Sequence, residues 1–293
     1  MEEVKRIPYG VSNFVEVVEQ NQYYVDKTIY LPLLEEQPSN LFFIRPRRFG
    51  KSIFLSMLRA YYDIAQREKF DKRFGNLWIG SRPTRLQGTF QILFLDFSRA
   101  SGGSGTLAEN FDRYCCMVMD LFGMSYESYY FPGFAQEMKA QPDFVSKLNY
   151  LNLHAAETGA HLYLIIDEYD NFTNQLLTAY NDPLYEEVTT NDSFLRTFFK
   201  VIKAGIGEGS IRTCFCTGVL PVTMDDLTSG YNIAEILTLE PNFLNMLGFT
   251  YEETETYLRY VLDKYSTGQE RFDEIWQLIV SNYDGYRFRP NGD

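Results

Sequence analysis

Residues 41–52 read Leu41-Phe42-Phe43-Ile44-Arg45-Pro46-Arg47-Arg48-Phe49-Gly50-Lys51-Ser52. An apolar strand pattern runs into a loop, and the loop closes on Gly-Lys-Ser just before a helical pattern. A phosphate-binding loop (P-loop, or Walker A motif) is built in this way: backbone N–H groups surround the phosphates, a lysine reaches the outer phosphates and a hydroxyl holds Mg²⁺. The segment therefore predicts a nucleoside triphosphate site in which Lys51 neutralises phosphate charge and Ser52 ligates the metal.

The P-loop departs from the pattern G-x-x-x-x-G-K-[ST] at its first position, where Arg45 replaces glycine. That glycine permits a tight turn and a close approach of the backbone to phosphate. Pro46 fixes its own φ and pushes Arg45 towards extended geometry, so the strand is expected to run on to Arg45. A chance Gly-Lys-Ser at a helix start is the competing interpretation of this motif taken alone.

A second motif supplies the acids of such a site. Residues 161–168 form a short apolar run that ends in Asp167 and Glu168, which is typical of a buried parallel strand. Acids at the carboxyl end of such a strand (Walker B) lie where α/β sheets bind ligands. We expect Asp167 to support Mg²⁺ and Glu168 to act as the general base that polarises the attacking water. The alternative is a core strand that happens to end in two acids.

A third strand pattern covers residues 212–219 and ends in a hydroxyl. Many ATPases of the additional-strand class place a polar residue there, between the P-loop strand and the strand with the acids, to touch the γ-phosphate or the attacking water. Thr217 is therefore a candidate sensor. A threonine that only starts the turn before Gly218 explains the pattern equally well.

The composition bounds the class of protein and of partner. A chain of 293 residues with 45% hydrophobic residues can bury a large core, and we expect one full domain plus a smaller one. The net charge of −12 argues against a general nucleic-acid binder. The basic residues around the P-loop are better explained by nucleotide phosphates than by DNA.

Signals for other metals and for a membrane are weak. The four cysteines have no zinc-site spacing, and only two histidines are present, so a histidine-based metal site is not expected. Cys214 and Cys216 share one face of a strand and are expected to be buried thiols. The N-terminus carries no secretory apolar stretch, and no run approaches the roughly 18 apolar residues of a membrane span. We therefore expect a cytoplasmic protein without a membrane partner.

The chain is expected to have three parts. Residues 1–40 form an N-terminal arm over the nucleotide site, residues 41–241 form the P-loop core, and residues 242–293 form a helical, lid-like subdomain. Tyr24 and Asp26 of the arm are candidates for covering the adenine. An aromatic staple that packs the arm is at least as good an interpretation of these residues.

Periodicity and capping patterns predict the remaining elements. Thr250 and Glu253 have the spacing of a capping box at a helix start. Asp96 and Asp170 each follow a strand, and both are interpreted as caps of a turn or helix rather than as site residues. We expect a short helix capped by Ser12, helices over residues 29–35, 52–64, 106–122, 143–157, 194–203, 251–264 and 271–282, and strands over residues 90–98 and 233–239.

Several stretches together point to a family. They are residues 7–14, 24–28, 45–52, 166–171, 217–219, 225–230, 248–250 and 285–288. Through their order and spacing the chain resembles a bacterial AAA-ATPase-like family that often precedes a PD-(D/E)XK nuclease-like domain. The resemblance implies an α/β P-loop NTPase core of the additional-strand, AAA/STAND-like type, with a mostly parallel central sheet flanked by helices and a small C-terminal helical subdomain.

The resemblance also bears on the site and on the end of the chain. It implies that Arg45 belongs to the family's own P-loop. The candidate nucleotide-binding residues are therefore Arg45, Pro46, Arg47, Arg48, Phe49, Gly50, Lys51, Ser52 and Ile53, together with Tyr24 and Asp26. No convincing set of nuclease carboxylates and lysine is present, so the chain is either a shortened piece of such a protein or a member without that domain.

Two functions of different class fit these patterns. The first is Mg²⁺-dependent ATP binding with slow hydrolysis, used to switch or assemble a protein partner, a fused effector domain or further copies of the chain. The second is a non-catalytic scaffold that binds nucleotide or only proteins, which the absence of a clear arginine finger favours. A phosphotransferase ranks last because Asp167-Glu168 suits activation of water. The chain has no clear guanine-reading Asn-Lys-x-Asp motif, which weakly favours ATP over GTP.

Overall fold

A five-stranded parallel sheet lies at the centre of the computed structural model, which describes residues 5–100, 105–171, 194–220, 234–264 and 271–283. The strand order is β2-β3-β4-β1-β5. The strands are β1 (Asn40–Ile44), β2 (Gln91–Asp96), β3 (Leu162–Asp167), β4 (Ile211–Gly218) and β5 (Glu235–Ile236). All four pairings are parallel, so the carboxyl ends of these strands lie at one edge of the sheet.

Helices pack on both faces of this sheet. They are α1 (Phe14–Glu19), α2 (Tyr30–Glu35), α3 (Lys51–Tyr62), α4 (Phe70–Phe74), α5 (Leu107–Tyr126), α6 (Phe134–Lys139), α7 (Phe144–Thr158) and α8 (Phe194–Gly207). Two further helices, α9 (Tyr251–Lys264) and α10 (Phe272–Tyr283), contact each other. The predicted α/β architecture, a parallel sheet flanked by helices, is confirmed.

Alternation along β1 divides the buried side chains between two hydrophobic cores. Phe42 and Ile44 belong to the core that contains α5, α7 and α8. Leu41 and Phe43 belong to the core that contains α1 and α3. A parallel strand covered on both faces reads as a continuous apolar run, which explains why all five residues of β1 are buried.

The position of β4 brings the three sequence motifs together. β4 pairs with β1 on one side and with β3 on the other. Phe43 of β1 lies opposite Thr217, and Ile166 of β3 lies opposite Cys216. The P-loop, the two acids and Thr217 therefore lie at the carboxyl ends of three neighbouring strands, at the same edge of the sheet, with β4 in the middle as the sequence predicted.

The expected cap of the first helix is wrong. Asn13 rather than Ser12 caps α1, because the Asn13 side-chain oxygen accepts the Val15 N–H at 3.0 Å. Asp96 does cap a turn as expected, since its carboxylate accepts the Ser98 N–H. The family-like stretches at 225–230 and 285–288 lie outside the described residues.

The strand expected over 233–239 is much shorter than predicted. Only Glu235–Ile236 pairs with β1, and a 3₁₀ turn covers Leu237–Leu239. At this point the Ile44 N–H donates to the Thr238 hydroxyl at 2.9 Å. The Thr238 hydroxyl thus accepts the Ile44 N–H, which would have bonded to a backbone carbonyl if β5 were longer.

A buried ion pair ties the arm to α9. The Lys27 ammonium donates to both carboxylate oxygens of Glu253, at 2.6 and 2.8 Å, and to the Asn245 carbonyl at 2.9 Å. Burial lowers the pKa of Lys27, and the charge of Glu253 opposes that shift. Glu253 also completes the predicted capping box with Thr250, since each accepts the backbone N–H of the other. One carboxylate therefore caps a helix and holds the arm.

Lys27→Met is expected to lower the free energy of unfolding by about 2 kcal/mol, because Glu253 and the Asn245 carbonyl lose a charged donor. Lys72→Met is the matched control. Its partner Glu19 lies at the surface and the Lys72 side chain is 66% exposed, so this solvent-screened pair is expected to contribute much less than the buried one. Urea unfolding of both variants measures the difference, and equal losses would contradict the prediction.

Candidate functional site

The P-loop leaves β1 through one further ladder bond and then turns sharply. The Arg45 N–H donates to the Gly218 carbonyl of β4 at 3.2 Å, so the strand direction continues to Arg45 as expected. Arg48 and Gly50 both have positive φ, at 70° and 83°. Glycine takes this conformation without a steric cost, which explains why Gly50 precedes the helix, whereas Arg48 adopts it at a cost of about 1 kcal/mol or more.

The Lys51 ammonium lies against the start of the same loop. It donates to the Arg45 carbonyl at 2.9 Å and to the Pro46 carbonyl at 3.0 Å. Burial lowers the pKa of Lys51, and the nearby carboxylates, Asp167 first among them, oppose that shift. Among the described residues, the loop's own carbonyls are the only hydrogen-bond partners of this buried cation, which leaves it well placed to meet phosphate oxygens.

The Ser52 hydroxyl donates to Oδ2 of Asp167 at 2.9 Å. This bond joins residues 115 positions apart and connects the first turn of α3 with the end of β3. The other carboxylate oxygen of Asp167 accepts the Glu168 N–H at 2.9 Å. Burial raises the pKa of Asp167 to about 6; the charges of Asp96 and Glu168 act in the same direction, and the Ser52 hydrogen bond opposes them.

Ser52 and Asp167 form a donor set that fits Mg²⁺. Mg²⁺ prefers oxygen ligands and is held by one or two protein groups together with substrate phosphates and water. The hydroxyl and the carboxylate lie within hydrogen-bonding distance of each other at the start of α3. In the described part of the chain, no group of three or more His, Cys, Asp or Glu side chains forms an all-protein metal site.

Glu168 stands next to this pair in an unusual backbone conformation. Its φ is +50°, a left-handed value that is rare for residues with a side chain. Its carbonyl accepts the Asn171 N–H. Among the residues that the structure describes, none donates a hydrogen bond to the Glu168 carboxylate, although its charge acts on Lys51. The carboxylate is therefore open to a water or a ligand.

Thr217 carries a buried hydroxyl that has no hydrogen-bond partner within the described ranges. The residue is 1% exposed. Alternation along β4 puts Thr217 on the same sheet face as Phe215, which belongs to the core on the α3 side. Asp167 shares that face, since Tyr163 and Ile165 of β3 belong to the same core. An unsatisfied buried hydroxyl costs free energy and calls for an explanation such as a ligand.

The Arg45 side chain is held by backbone carbonyls. It is fully buried, and its guanidinium donates to the carbonyls of Ile44, Thr238 and Leu244 at 3.0, 2.9 and 3.2 Å. It also lies 4.3 Å from the centre of the Phe43 ring. Burial lowers the pKa of Arg45 to about 10. The sequence predicted that Arg45 contacts phosphate, whereas in the structure its side chain anchors the loop. The Arg45 carbonyl accepts a hydrogen bond from the Lys51 ammonium.

Tyr24 and Asp26 are held by contacts within the arm and its neighbours. The Tyr24 ring packs edge-on against Phe14 at 5.1 Å, and burial raises the pKa of Tyr24. The Asp26 carboxylate accepts the N–H groups of Thr28 and Trp78 at 2.8 and 2.6 Å. These contacts match the staple interpretation, and they do not bring either residue to the P-loop.

The other predicted P-loop residues divide by exposure. Arg47 and Arg48 are exposed, whereas Pro46, Phe49 and Ile53 are half-buried. Two basic side chains therefore remain on the solvent side of the loop. Together with the N-terminal N–H groups of α3, which have no side-chain cap among the described residues, they favour an anion at this position.

Asp170 has a contact that the sequence did not indicate. Its Oδ2 accepts the N–H groups of Val219 and Leu220 at 3.0 and 2.8 Å, so it supports the backbone just beyond β4. The Gly218 position is tight, because an added Cβ would lie 2.5 Å from an Asp170 oxygen. No short-range pattern reports such a contact, since the partners are about 50 residues apart in the chain.

A family model described as "Predicted AAA-ATPase" matches residues 8–228. A curated relative from Azotobacter chroococcum mcd 1, described as an uncharacterized protein in the vnfD 5' region, is 26% identical over 287 residues. The alignment covers 97% of this chain and 49% of the relative, so the chain spans about half the length of that protein. No solved structure matches the chain. No helix in the described ranges is long and apolar enough to cross a membrane.

Asp167→Asn is expected to flatten the pH dependence of stability between about pH 4 and pH 6. In the fold the carboxyl keeps its proton to about pH 6, whereas an unfolded chain releases it near 3.8. The folded state binds more protons between these values, so stability falls as pH rises through this window, by on the order of 3 kcal/mol at most. The asparagine side chain of the variant cannot ionise, so the fall of stability that comes from the Asp167 carboxyl is absent.

Urea unfolding at steps from pH 4 to pH 7.5 measures this effect. Asp71→Asn, which removes an exposed carboxylate of α4, is the control and should leave the shape of the wild-type curve unchanged. Parallel curves for the wild type and Asp167→Asn would contradict the raised pKa.

Proposed function

The chain belongs to the AAA-ATPase-like family, and we propose that it binds ATP with Mg²⁺, hydrolyses it slowly and acts as a switch or assembly module for a protein partner or a fused effector domain. The observation that carries this proposal is the hydrogen bond between Ser52 and Asp167, because it places the P-loop hydroxyl and the acid pair at one point. Lys51 is buried beside them.

Each residue has a role that its position supports. Lys51 leaves the loop carbonyls and neutralises the β- and γ-phosphates, while the N-terminal N–H groups of α3 surround them. Ser52 and Asp167 hold Mg²⁺, which supplies charge neutralisation on the phosphate oxygens when it is bound. Glu168 accepts a proton from the attacking water. The Thr217 hydroxyl, unpartnered within the described residues, donates to the γ-phosphate or orients that water.

The switch role and the slow rate rest on the family and on the composition of the site. The sequence contains no clear arginine finger, and an arginine supplied by another subunit or partner accelerates hydrolysis greatly in related reactions. A site without that arginine turns over slowly and changes its state when a partner arrives. The partner is proposed to be a protein, because a net charge of −12 opposes binding to nucleic acid.

A non-catalytic scaffold is the second candidate. The observation that favours it is the position of the Lys51 ammonium, which is already satisfied by the carbonyls of Arg45 and Pro46. In that case the Lys51 ammonium keeps its hydrogen bonds to these carbonyls, and the loop holds its shape without bound phosphate. Nucleotide affinity separates the two candidates.

Lys51→Ala is expected to weaken the binding of Mg²⁺-ATP by about 100-fold, because two charge-assisted bonds to phosphate are lost. Glu168→Gln should keep the wild-type affinity and lower turnover by on the order of 100-fold or more. Calorimetry gives the affinity and phosphate release gives the turnover. Lys69→Ala, which changes an exposed lysine of a 3₁₀ turn, is the control.

A folded wild type that binds no nucleotide would favour the scaffold. Unchanged turnover in Glu168→Gln would show that Glu168 is not the general base.

Thr217→Val is expected to lower turnover about tenfold or more while leaving the free energy of unfolding unchanged or higher. Removing a buried hydroxyl that has no partner within the described residues relieves a penalty rather than breaking a bond. Thr28→Val is the contrasting variant, since the buried Thr28 hydroxyl donates to Asp26 and accepts the Ile79 N–H. It should cost about 1–3 kcal/mol of stability. Equal destabilisation by the two changes would contradict the open hydroxyl of Thr217.

A further inference from the structure

The segment 237–248 contacts both ends of the P-loop. It follows β5 and leads to α9, and it lies outside residues 8–228, which the family model matches. Its apolar residues Leu237, Phe243, Met246 and Leu247 are buried in the core on the α3 side. This packing makes the segment a rigid neighbour of the loop.

The first contact is at the start of the loop. The Arg45 guanidinium donates to the Thr238 carbonyl at 2.9 Å and to the Leu244 carbonyl at 3.2 Å, across almost 200 residues of chain. The Ile44 N–H donates to the Thr238 hydroxyl beside it. These bonds fix the point at which the backbone leaves β1, where the usual P-loop has a glycine.

The second contact is at the end of the loop. The Gly248 N–H donates to the Phe49 carbonyl at 2.9 Å. Gly248 has a φ of +80°, and an added Cβ would lie 2.9 Å from the Phe49 ring. Glycine is therefore required here for two reasons: the left-handed backbone and the close approach of an aromatic ring that immediately precedes Gly50.

Holding both ends of the loop fixes the groups between them. Lys51 donates to the carbonyls of Arg45 and Pro46, so the position of its ammonium depends on where Arg45 is anchored. The φ of Gly50 and the first turn of α3 follow directly after Phe49. A shift of a fraction of an ångström in segment 237–248 would thus reach the groups expected to meet phosphate.

We propose that Arg45 and Gly248 are positioning residues that hold the P-loop in its nucleotide-binding shape by fastening its two ends to segment 237–248. The proposal rests on the proposed nucleotide binding and adds residues that touch no phosphate themselves. The coupling is reciprocal, since a segment that improves nucleotide affinity must itself be stabilised by nucleotide. Segment 237–248, which leads to α9, is then expected to become more stable when nucleotide binds.

Gly248→Ala tests the proposal at the end of the loop, with Gly209→Ala as its matched control. Gly209 has nearly the same backbone angle, with a φ of +82°, but an added Cβ there meets nothing within 4 Å. Both changes bear the cost of an alanine in a left-handed conformation, and only Gly248→Ala presses on Phe49. Calorimetry well below each unfolding midpoint should give an affinity for Mg²⁺-ATP about tenfold weaker for Gly248→Ala and within about twofold of wild type for Gly209→Ala.

Arg45→Met tests the start of the loop, with Lys147→Met as its control. Lys147 is also buried, and its ammonium donates to the carbonyls of Met138 and Lys139 and to Asp120, away from the site. Both variants should lower the unfolding midpoint, and only Arg45→Met should weaken Mg²⁺-ATP binding, by about tenfold or more. Where Arg45→Met does not fold, the glycine pair decides the question.

The outcomes separate this proposal from the proposed function. Wild-type binding that Lys51→Ala abolishes, together with unchanged affinity in Gly248→Ala, would overturn the positioning role and leave nucleotide binding intact. Equal loss of affinity in Gly248→Ala and Gly209→Ala would overturn it as well, because backbone strain alone would then account for the effect. A folded wild type that binds no nucleotide would overturn both proposals.

Discussion

The pairing of β4 with both β1 and β3 is the constraint on which the candidate site depends. Parallel strands that share a register end at one edge, so the residues that follow them meet there without any further device. The Ser52–Asp167 bond is a consequence of this pairing, and it joins parts of the chain that are 115 residues apart. A sheet in which β1 and β3 were direct neighbours would leave no position for Thr217 between the loop and the acids.

The polar groups around this edge divide into satisfied and open ones. The Arg45 and Asp170 side chains, which support the backbone, make several hydrogen bonds each. Within the described residues, the Thr217 hydroxyl and the Glu168 carboxylate receive none. Buried structural groups are normally satisfied, and groups left open in a cleft indicate where a ligand or water binds.

Several buried cations of the fold donate hydrogen bonds to backbone carbonyls. The cations of Lys27, Arg45, Lys51 and Lys147 are all buried, and each donates to carbonyl oxygens at the end or turn of a neighbouring segment. The contacts of Lys27 and Arg45 join segments that are 218 and 193 residues apart in the chain, so the relative position of those segments depends on a single side chain. For the P-loop, this means that its position relative to segment 237–248 depends on the hydrogen bonds of Arg45.

The sequence by itself determined the α/β class of fold and the positions of most strands and longer helices, and it pointed to Lys51, Ser52, Asp167 and Glu168 as the residues of a site. These are local properties, because apolar periodicity, capping and a short motif are readable within one segment. The sequence pattern also placed Arg45 among the phosphate contacts, whereas the structure turns its side chain towards Thr238 and Leu244. Only the tertiary structure decided that, together with the shortening of β5 and the contact of Phe49 with Gly248. Each of these contacts joins residues nearly 200 positions apart, and which carbonyl a buried cation meets depends on how distant segments pack rather than on the residues beside it.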